Sequence, residues 1–204
     1  MQHFTLHIIT HPEVFDGEID AIISLMQNDM FYLHLRKPNM DETSYEDYVK
    51  LLPEKLYNRI ILHSAYHLAE QYDFAGLHFS TNKRKLANDI LFFCNRYTSC
   101  HSFEDVNICD IDFKQCFLSP VFDSISKQGY SAAFDVDNLT SFLSKDRKIK
   151  IIALGGIDAN NIIEVQKMGF DGAAVLGAVW GRNPQKDDDF KSRLDEILKH
   201  VSQA

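Results

Sequence analysis

The sequence predicts a single α/β domain over residues 1–204 that closes into an eight-stranded (β/α)₈ TIM barrel. Short apolar runs alternate with longer amphipathic segments from one end of the chain to the other, which is typical of a parallel sheet with crossover helices. The chain holds eight such units in 204 residues, at the short end of the range for a closed barrel. An open doubly wound sheet would use the same alternation, and the count of eight favours the barrel. We find no low-complexity segment or linker that would divide the chain.

Each predicted strand is a short, mostly apolar run. In chain order the strands are Phe4–Thr10, Phe31–Leu35, Arg59–Leu62, Gly76–Phe79, Tyr97–Ser99, Cys116–Leu118, Lys150–Leu154 and Gly172–Leu176. The segments between most of them carry apolar residues at helical spacing. These helices are Asp20–Gln27, Tyr45–Leu52, Tyr66–Tyr72, Arg84–Phe93, Val136–Leu143, Asn160–Met168 and, at the end, Asp187–His200. The fifth unit is the weakest, since Phe103–Ile108 offers barely two turns.

Composition restricts the function classes. Lysine and arginine total 21 against 29 acidic residues, so the formal charge of −8 disfavours general nucleic-acid binding. No stretch is apolar for long enough to cross a bilayer, and the N-terminus has no basic region followed by an apolar run. We therefore expect a cytoplasmic protein. The four cysteines show no CxxC spacing, and we expect reduced, packed thiols.

In a barrel, functional groups gather where strands pass into the following loops. The residues at these ends are rich in histidine, hydroxyl groups and glycine. They include His34 and Arg36, His63 and Ser64, His78, Ser99 and His101, and the glycines after the last two strands. Polar groups that meet at one end of a sheet are typical of a ligand site.

The last two strands predict a phosphate site. Residues 151–157 (IIALGGI) are a buried strand that leads into Gly155 and Gly156, and residues 172–178 (GAAVLGA) repeat the pattern with Gly177 and Ala178. Glycines let the backbone approach a ligand and present N–H groups to an anion, and a short helix after the eighth strand would add its N-terminus. Each glycine site alone could be only a tight turn. Their spacing of one βα unit favours the shared phosphate site of such barrels.

The loop after the sixth strand adds polar groups to that end. Residues 119–129 (SPVFDSISKQG) carry the hydroxyls of Ser124 and Ser126 and the ammonium group of Lys127. Hydroxyl donors next to a mobile positive charge suit phosphate or pyrophosphate. Without the neighbouring glycines, a solvent-exposed loop would be the simpler interpretation.

Six segments in order resemble the motifs of the thiamine-phosphate synthase/TenI family. Residues 117–129 (FLSPVFDSISKQG) resemble its GPVFxTxTKxG loop, 153–157 (ALGGI) its AIGGI, and 168–175 (MGFDGAAV) its AGADGVAV. Upstream, residues 34–37 (HLRK) resemble QxRxK, 76–79 (GLHF) resemble GVHL, and 99–104 (SCHSFE) resemble SxHSxEE. No single match is specific, whereas the ordered set is.

The resemblance implies a barrel that binds thiazole phosphate. By motif match, Ser124, Ser126 and Lys127 would contact phosphate or pyrophosphate oxygens, and the backbone at Gly155, Gly156, Gly177 and Ala178 would hold the thiazole phosphate. Arg36 would pair with the leaving group of a synthase, and Ser99 would lie near the pyrimidine. A synthase joins thiazole phosphate to a hydroxymethylpyrimidine pyrophosphate with Mg²⁺ on the leaving pyrophosphate.

The chain departs from the synthase pattern where Mg²⁺ would bind. The family's carboxylates after the third and fourth strands are replaced by His63-Ser64 and by residues 80–83 (STNK). Magnesium prefers hard oxygen ligands, so its site should be weak. The lysine of QxRxK is displaced as well, because Pro38 stands in its place and Lys37 lies one residue earlier. A shift of one residue turns a strand side chain to the opposite face.

The TenI branch aromatises a thiazole phosphate tautomer and lacks the same acids. Tautomerisation needs a group that moves a proton near neutral pH, for which histidine is suited, and His34 or His101 is our predicted residue. The family's TenI histidine, however, corresponds to Pro120 here. Each histidine alone could serve structure only. Zinc is disfavoured because no pair of histidines has short ligand spacing.

The sequence thus predicts a TenI-like enzyme acting on a thiazole phosphate, with no certain cofactor. A true synthase, which would need Mg²⁺, and a non-catalytic phosphate-binding regulatory relative are the alternatives. We expect no membrane or nucleic-acid partner, and an exposed outer helix could pair two subunits as a homodimer.

Overall fold

The computed structural model describes residues 4–90, 94–122, 134–187 and 189–201. Eight parallel strands close into a barrel in the sequential order β1 to β8, with β8 paired to β1. The strands are β1 Thr5–Ile9, β2 Phe31–Leu35, β3 Ile60–Leu62, β4 Gly76–Phe79, β5 Arg96–Cys100, β6 Gln115–Leu118, β7 Lys150–Leu154 and β8 Gly172–Val175. The predicted TIM barrel is confirmed, and each predicted strand lies within two residues of its observed bounds.

Seven α-helices accompany the strands in the described residues. They are α1 Glu18–Leu25, α2 Glu42–Lys50, α3 Phe103–Cys109, α4 Val136–Leu143, α5 Ile162–Lys167, α6 Gly177–Trp180 and α7 Phe190–Val201. Three further segments, Glu54–Arg59, Tyr66–Glu70 and Thr81–Asp89, are 3₁₀ helices.

The prediction of α-helices after β3 and β4 was therefore wrong, because both segments are 3₁₀ helices. The segment after β4 buries only Ala87 of its nine residues. The segment after β3 is five residues long and buries only Leu68. Most helical stability in proteins comes from an apolar face packed on the core, and these two segments have almost none.

Alternation along the strands separates an outer core from the barrel interior. On β1, Leu6 and Ile8 face the helices and belong to the main apolar cluster, whereas Ile9 packs inside the barrel. The inner apolar cluster joins Ile9 to Phe117, Ile152 and Ala174 from β6, β7 and β8. Because side chains alternate between the two faces of a strand, Thr5 and His7 point inward with Ile9.

Two buried contacts hold the strand ends that carry the site. Lys37, just past β2, donates to the Glu18 carboxylate at 2.6 Å, and both side chains are 1% exposed. Tyr48 of α2 donates to the same carboxylate at 2.6 Å. The one-residue shift of Lys37 thus directs it away from the barrel interior, as strand parity predicts. At the end of β1, Nε1 of the fully buried Trp180 donates to the Ile9 carbonyl at 2.8 Å and connects α6 to β1.

The cysteines are free, as predicted, and Cys100, Cys109 and Cys116 are buried. Burial raises the pKa of the Cys109 thiol to about 12, which makes it a poor nucleophile. Among the described residues, no helix combines the length and apolar character needed to span a membrane.

Candidate active site at the barrel mouth

The ends of β7 and β6 meet at Gly155 and Gly156. Gly155 has a φ of +106° and Gly156 a φ of +64°, which favour glycine. A Cβ on Gly155 would lie 3.0 Å from Cα of Pro120, so the sixth strand end packs directly on this turn. The backbone N–H of Val121 donates to the Leu154 carbonyl at 3.0 Å, and that of Phe122 donates to Gly155 at 3.2 Å. The turn therefore packs closely on the sixth strand end, and the predicted approach of its backbone to a ligand stays a prediction.

The predicted short helix after the eighth strand is α6. Gly177 and Ala178 form its first turn, where backbone N–H groups have no acceptor within the helix. Gly177 is exposed, and a Cβ added there would meet nothing within 4 Å. Among the described residues, no acceptor takes a hydrogen bond from these two N–H groups. Their phosphate role, like that of Gly155 and Gly156, stays a prediction.

Ser124, Ser126 and Lys127 lie outside the described residues, so their predicted phosphate contacts stay predictions. The described part of that loop ends at Phe122 and begins with a cis Ser119–Pro120 bond.

A column of hydrogen-bonded histidines runs through the barrel interior. Nε2 of His7 lies 3.1 Å from Oγ1 of Thr5, and Nδ1 of His7 lies 3.0 Å from Nε2 of His34. Nδ1 of His34 in turn lies 3.0 Å from Nε2 of His63, just past β3. We call these four residues the histidine chain. His7 and His34 are fully buried, while His63 is partly buried at the C-terminal end of the barrel. The chain therefore leads from the interior to the mouth.

A second imidazole group lies beside the end of this chain. His78 stacks on His63 with ring centroids 4.3 Å apart and 6° between the planes. Nε2 of His78 lies 2.9 Å from Oγ of Ser99, and its Nδ1 is buried without a partner in the described residues. Phe117 closes the apolar side of the group, 4.6 Å from His34 and 5.0 Å from His78 between ring centroids.

The surroundings keep these imidazoles neutral. Burial lowers the pKa of His7 from 6.5 to about 3 and is the main cause of the same shift to about 3 for His78. The pKa values of His34 and His63 are also lowered well below 6.5, first by burial. Repulsion from neighbouring histidines, were these protonated, adds to the shift of both, and for His63 the charges of Arg36 and Lys83 add as well. Neutral imidazole carries one donor and one acceptor nitrogen, so each ring can serve as a base.

The other predicted residues take different positions. Arg36 is exposed just past β2, and its backbone N–H donates to Oγ1 of Thr10 at 2.9 Å. His101 is exposed after β5, with Nδ1 3.1 Å from the Ser119 carbonyl. Because a carbonyl only accepts, Nδ1 of His101 is the donor in this contact. His34 is fully buried in the middle of the chain, so it reaches the mouth only through His63. The proton-transfer roles predicted for His34 and His101, and the position of Ser99 near the pyrimidine, stay predictions.

The mouth near β3 and β4 does not fit Mg²⁺. The positions that follow those strands carry His63, Ser64, Ser80 and Lys83 instead of carboxylates. One nitrogen from each of His34, His63 and His78 lies within 4.8 Å of the others, which could suit a softer ion. The rings of His63 and His78 are stacked, so their lone pairs lie in two separate, parallel planes and cannot both point at one ion. The charges of Arg36 and Lys83 would also repel a cation.

Cys100, Asp105 and Cys109 form another candidate ligand group in the described residues. Arg84 already pairs with both carboxylate oxygens of Asp105, and its Nη2 lies 3.5 Å from Sγ of Cys100. The guanidinium therefore occupies the position that a cation would need, and the group is structural.

Sequence reasoning did not find His7 as a member of the site. His7 lies in the middle of β1 rather than at its end, where functional groups were expected. The alternation of side chains along β1 could have indicated its position. Thr5, His7 and Ile9 alternate with Leu6 and Ile8, which belong to the outer core, so His7 must face the barrel interior.

Comparison with known proteins identifies the family. The family model described as thiamine monophosphate synthase matches residues 6–179, which covers all eight strands except the first residue of β1. A thiamine-phosphate synthase of Syntrophomonas wolfei is 34% identical over 76 residues, and one of Staphylococcus carnosus is 27% identical over 124 residues. These alignments cover 37% and 57% of this chain, and 36% and 56% of the two relatives.

Solved structures match over nearly the whole chain. A thiamine phosphate pyrophosphorylase from Bacteroides thetaiotaomicron superposes with a TM-score of 0.80 at 27% identity and covers 98% of each chain. One from Pyrococcus furiosus also gives a TM-score of 0.80, at 20% identity over 99% of this chain and 97% of the other, and supports the fold alone.

Proposed function

Since the chain belongs to the thiamine monophosphate synthase family, we propose that it acts on a thiazole phosphate and catalyses a TenI-like proton transfer that tautomerises the thiazole. One observation carries the proposal. A set of neutral, hydrogen-bonded imidazoles opens at the same barrel end as the glycine turns after β7 and β8. An acid–base group and an anion-binding backbone are the two parts that such a reaction needs.

The phosphate group would bind at the backbone N–H groups of Gly156, Gly177 and Ala178, supported from the neighbouring loop by Lys127. Anion binding by backbone at a helix start leaves the side chains of the opposite strands for chemistry. Arg36 contributes positive charge on the β2 side of the mouth. The thiazole ring would then extend towards the histidines after β3 and β5.

Proton transfer falls to a histidine that reaches the mouth with one ring nitrogen that has no hydrogen-bond partner among the described residues. Nδ1 of His63 and Nε2 of His101 are such nitrogens. His34 connects to the mouth through His63. General acid–base catalysis by a positioned side chain contributes roughly 10²–10⁴-fold, and the lowered pKa of His63 keeps that imidazole unprotonated at neutral pH.

Synthase chemistry is less well supported by this mouth. Its Mg²⁺ would need oxygen ligands, and the positions after β3 and β4 offer imidazole, hydroxyl and ammonium groups. A tautomerisation needs no metal and no leaving group, so the residues present suffice for it.

The test is turnover by the purified protein in two assays run side by side. The first follows aromatisation of the non-aromatic thiazole phosphate tautomer by absorbance and by proton NMR, with and without EDTA. The second supplies Mg²⁺, thiazole phosphate and hydroxymethylpyrimidine pyrophosphate and follows thiamine phosphate. We expect turnover in the first assay that EDTA does not change.

The opposite pattern would identify a different member of the family. Thiamine phosphate in the second assay alone would establish the synthase and overturn the tautomerase. Calorimetric binding of thiazole phosphate without turnover in either assay would leave a regulatory relative. H63Q and H101Q are the diagnostic variants, and H67Q is the matched control because His67 lies on the surface, 47% exposed.

A further inference from the structure

The histidine chain ends, on the side away from the mouth, at a group that can only accept hydrogen bonds. Oγ1 of Thr5 lies 3.4 Å from the backbone carbonyl of Asp171 and donates to it. The same hydroxyl oxygen lies 3.1 Å from Nε2 of His7. Thr5 has one proton to donate, and the carbonyl has none.

Donation of the Thr5 hydroxyl proton to that carbonyl sets the direction of every hydrogen bond in the chain. With the Thr5 proton used on Asp171, the Thr5 oxygen accepts from Nε2–H of His7, so Nδ1 of His7 is the acceptor. Nδ1 of His7 then accepts from Nε2–H of His34, and Nδ1 of His34 accepts from Nε2–H of His63. A neutral imidazole has only one proton, so Nδ1 of His63 is left as a lone pair.

We infer that Thr5, His7 and His34 are positioning residues that lock His63 in the Nε2–H tautomer, which makes Nδ1 of His63 the atom that accepts a proton from the bound ligand. No described residue forms a hydrogen bond with that atom, and the ring is the partly exposed member of the chain. The substrate rests on the proposed function, whereas the tautomer is a property of the resting protein.

The proton balance fits a tautomerisation. A C–H bond of the ligand breaks, its proton bonds to Nδ1 of His63, and the electron pair stays on the ligand. The imidazolium keeps its Nε2–H bond to His34 and returns a proton from Nδ1 to a second atom of the ligand. The proton cannot leave at the far end, because the Asp171 carbonyl does not take it up. It therefore stays at the mouth for return.

The groups around His63 favour prompt return of the proton. His34 accepts from it, His78 stacks on it, and Arg36 and Lys83 place positive charge nearby. The backbone of His63 is held separately, since its N–H donates to the Tyr45 hydroxyl at 3.1 Å. Substitutions in the chain can thus change the tautomer without releasing the strand end.

The experiment measures the tautomers directly by ¹⁵N NMR of protein labelled at histidine, without ligand, at pH 7.5. We expect His7, His34 and His63 to carry the proton on Nε2, with Nδ1 unprotonated. Replacement of each histidine in turn by glutamine assigns the signals. A wild-type spectrum with the proton on Nδ1 of His63 overturns the inference, and this result needs no variant that alters folding.

Thr5→Val and Thr5→Ser test the origin of the lock. Valine has the shape of threonine and keeps the backbone N–H bond of residue 5 to Asp171 at 3.0 Å, but it removes the acceptor for His7. A buried N–H without a partner is rarely tolerated, so we expect the chain to reverse and Nδ1 of His63 to be protonated in Thr5→Val. Thr5→Ser should keep the wild-type tautomers.

The kinetic consequence separates this inference from the proposed function. Thr5→Val should lower kcat for the thiazole phosphate tautomer at least tenfold with KM unchanged, and Thr5→Ser should restore it. Expected tautomers without turnover would refute the proposed function and leave the lock intact. Turnover with unchanged tautomers in Thr5→Val would refute the lock and leave the proposed function intact.

Discussion

Acidification should destabilise this protein strongly because its barrel interior holds neutral histidines. The pKa of His7 and that of His78 are both about 3 in the folded protein, against 6.5 for an ordinary histidine. The folded state therefore binds fewer protons than the unfolded state between pH 6.5 and pH 3. Stability is complete above pH 6.5 and falls as the pH decreases through that window.

The size of the effect follows from the same values. Between pH 7.5 and pH 5.5 the unfolded chain gains nearly one proton at each of these two positions, whereas the folded protein gains almost none. Each therefore removes about 1.4 kcal/mol from the free energy of unfolding, so the pair removes about 3 kcal/mol. His34, which is also fully buried with a lowered pKa, adds to the loss in the same direction. The total is a large fraction of the roughly 5–15 kcal/mol of a typical domain.

The assay is urea unfolding at pH 7.5 and at pH 5.5, followed by circular dichroism. H78Q is less stable at both pH values but should lose about 1.4 kcal/mol less than the wild type between them. H67Q changes a half-exposed histidine outside the barrel interior and serves as the matched control. An H78Q protein with the full wild-type pH dependence would refute the assignment of His78 as a buried neutral imidazole.

Three substitutions test other parts of the structure. Lys37→Met leaves the Glu18 carboxylate buried without its partner and should lower the free energy of unfolding by about 3–5 kcal/mol. Lys50→Met removes one partner of an exposed pair with Glu46 and should lower it by less than about 1 kcal/mol. Similar losses for the two variants in urea unfolding would contradict the burial argument. Gly172→Ala places a Cβ 2.3 Å from the Thr5 carbonyl oxygen and should lower the free energy of unfolding by about 1–3 kcal/mol or more. Gly177→Ala should change it little, because its Cβ meets nothing within 4 Å. Equal thermal midpoints for the two variants would refute this difference in packing. Lys127→Ala should weaken the binding of thiazole phosphate by about 1.5–3 kcal/mol, as measured by calorimetry. Lys114→Ala changes a lysine at the other end of the barrel and should leave the affinity unchanged. Unchanged affinity in Lys127→Ala would count against the phosphate site.

The glycine turns show how far the sequence can place a site. The pattern of a buried strand followed by glycine is local, so Gly155, Gly156 and Gly177 could be placed at strand ends from the sequence alone. The short helix α6 could be predicted for the same reason. The position of Lys37 followed from parity, because one residue on a strand changes the face. The two 3₁₀ segments could not be predicted in type, since tertiary packing rather than spacing decides whether a marginal segment becomes an α-helix.

The histidines show where sequence reasoning stops. His7, His34, His63 and His78 lie on or just past four successive strands, 15 to 29 positions apart in the chain. Short spacing is the sequence signal for side chains that act together, and here it is absent. The sequence therefore gives no signal that these histidines act together, and none that His7, in the middle of β1, belongs with them.

The sequence by itself determined the eight-stranded barrel, the family and the glycine turns, because each depends on periodicity or on contiguous motifs. Only the tertiary structure decided that four histidines meet inside the barrel and that three of them form one chain ending at Thr5 and Asp171. The physical reason is closure of the sheet. The stagger between neighbouring strands decides which inward side chains lie at the same height along the barrel axis. The hydrogen bonds of 3.0–3.1 Å between these side chains depend on that stagger and not on any local sequence pattern.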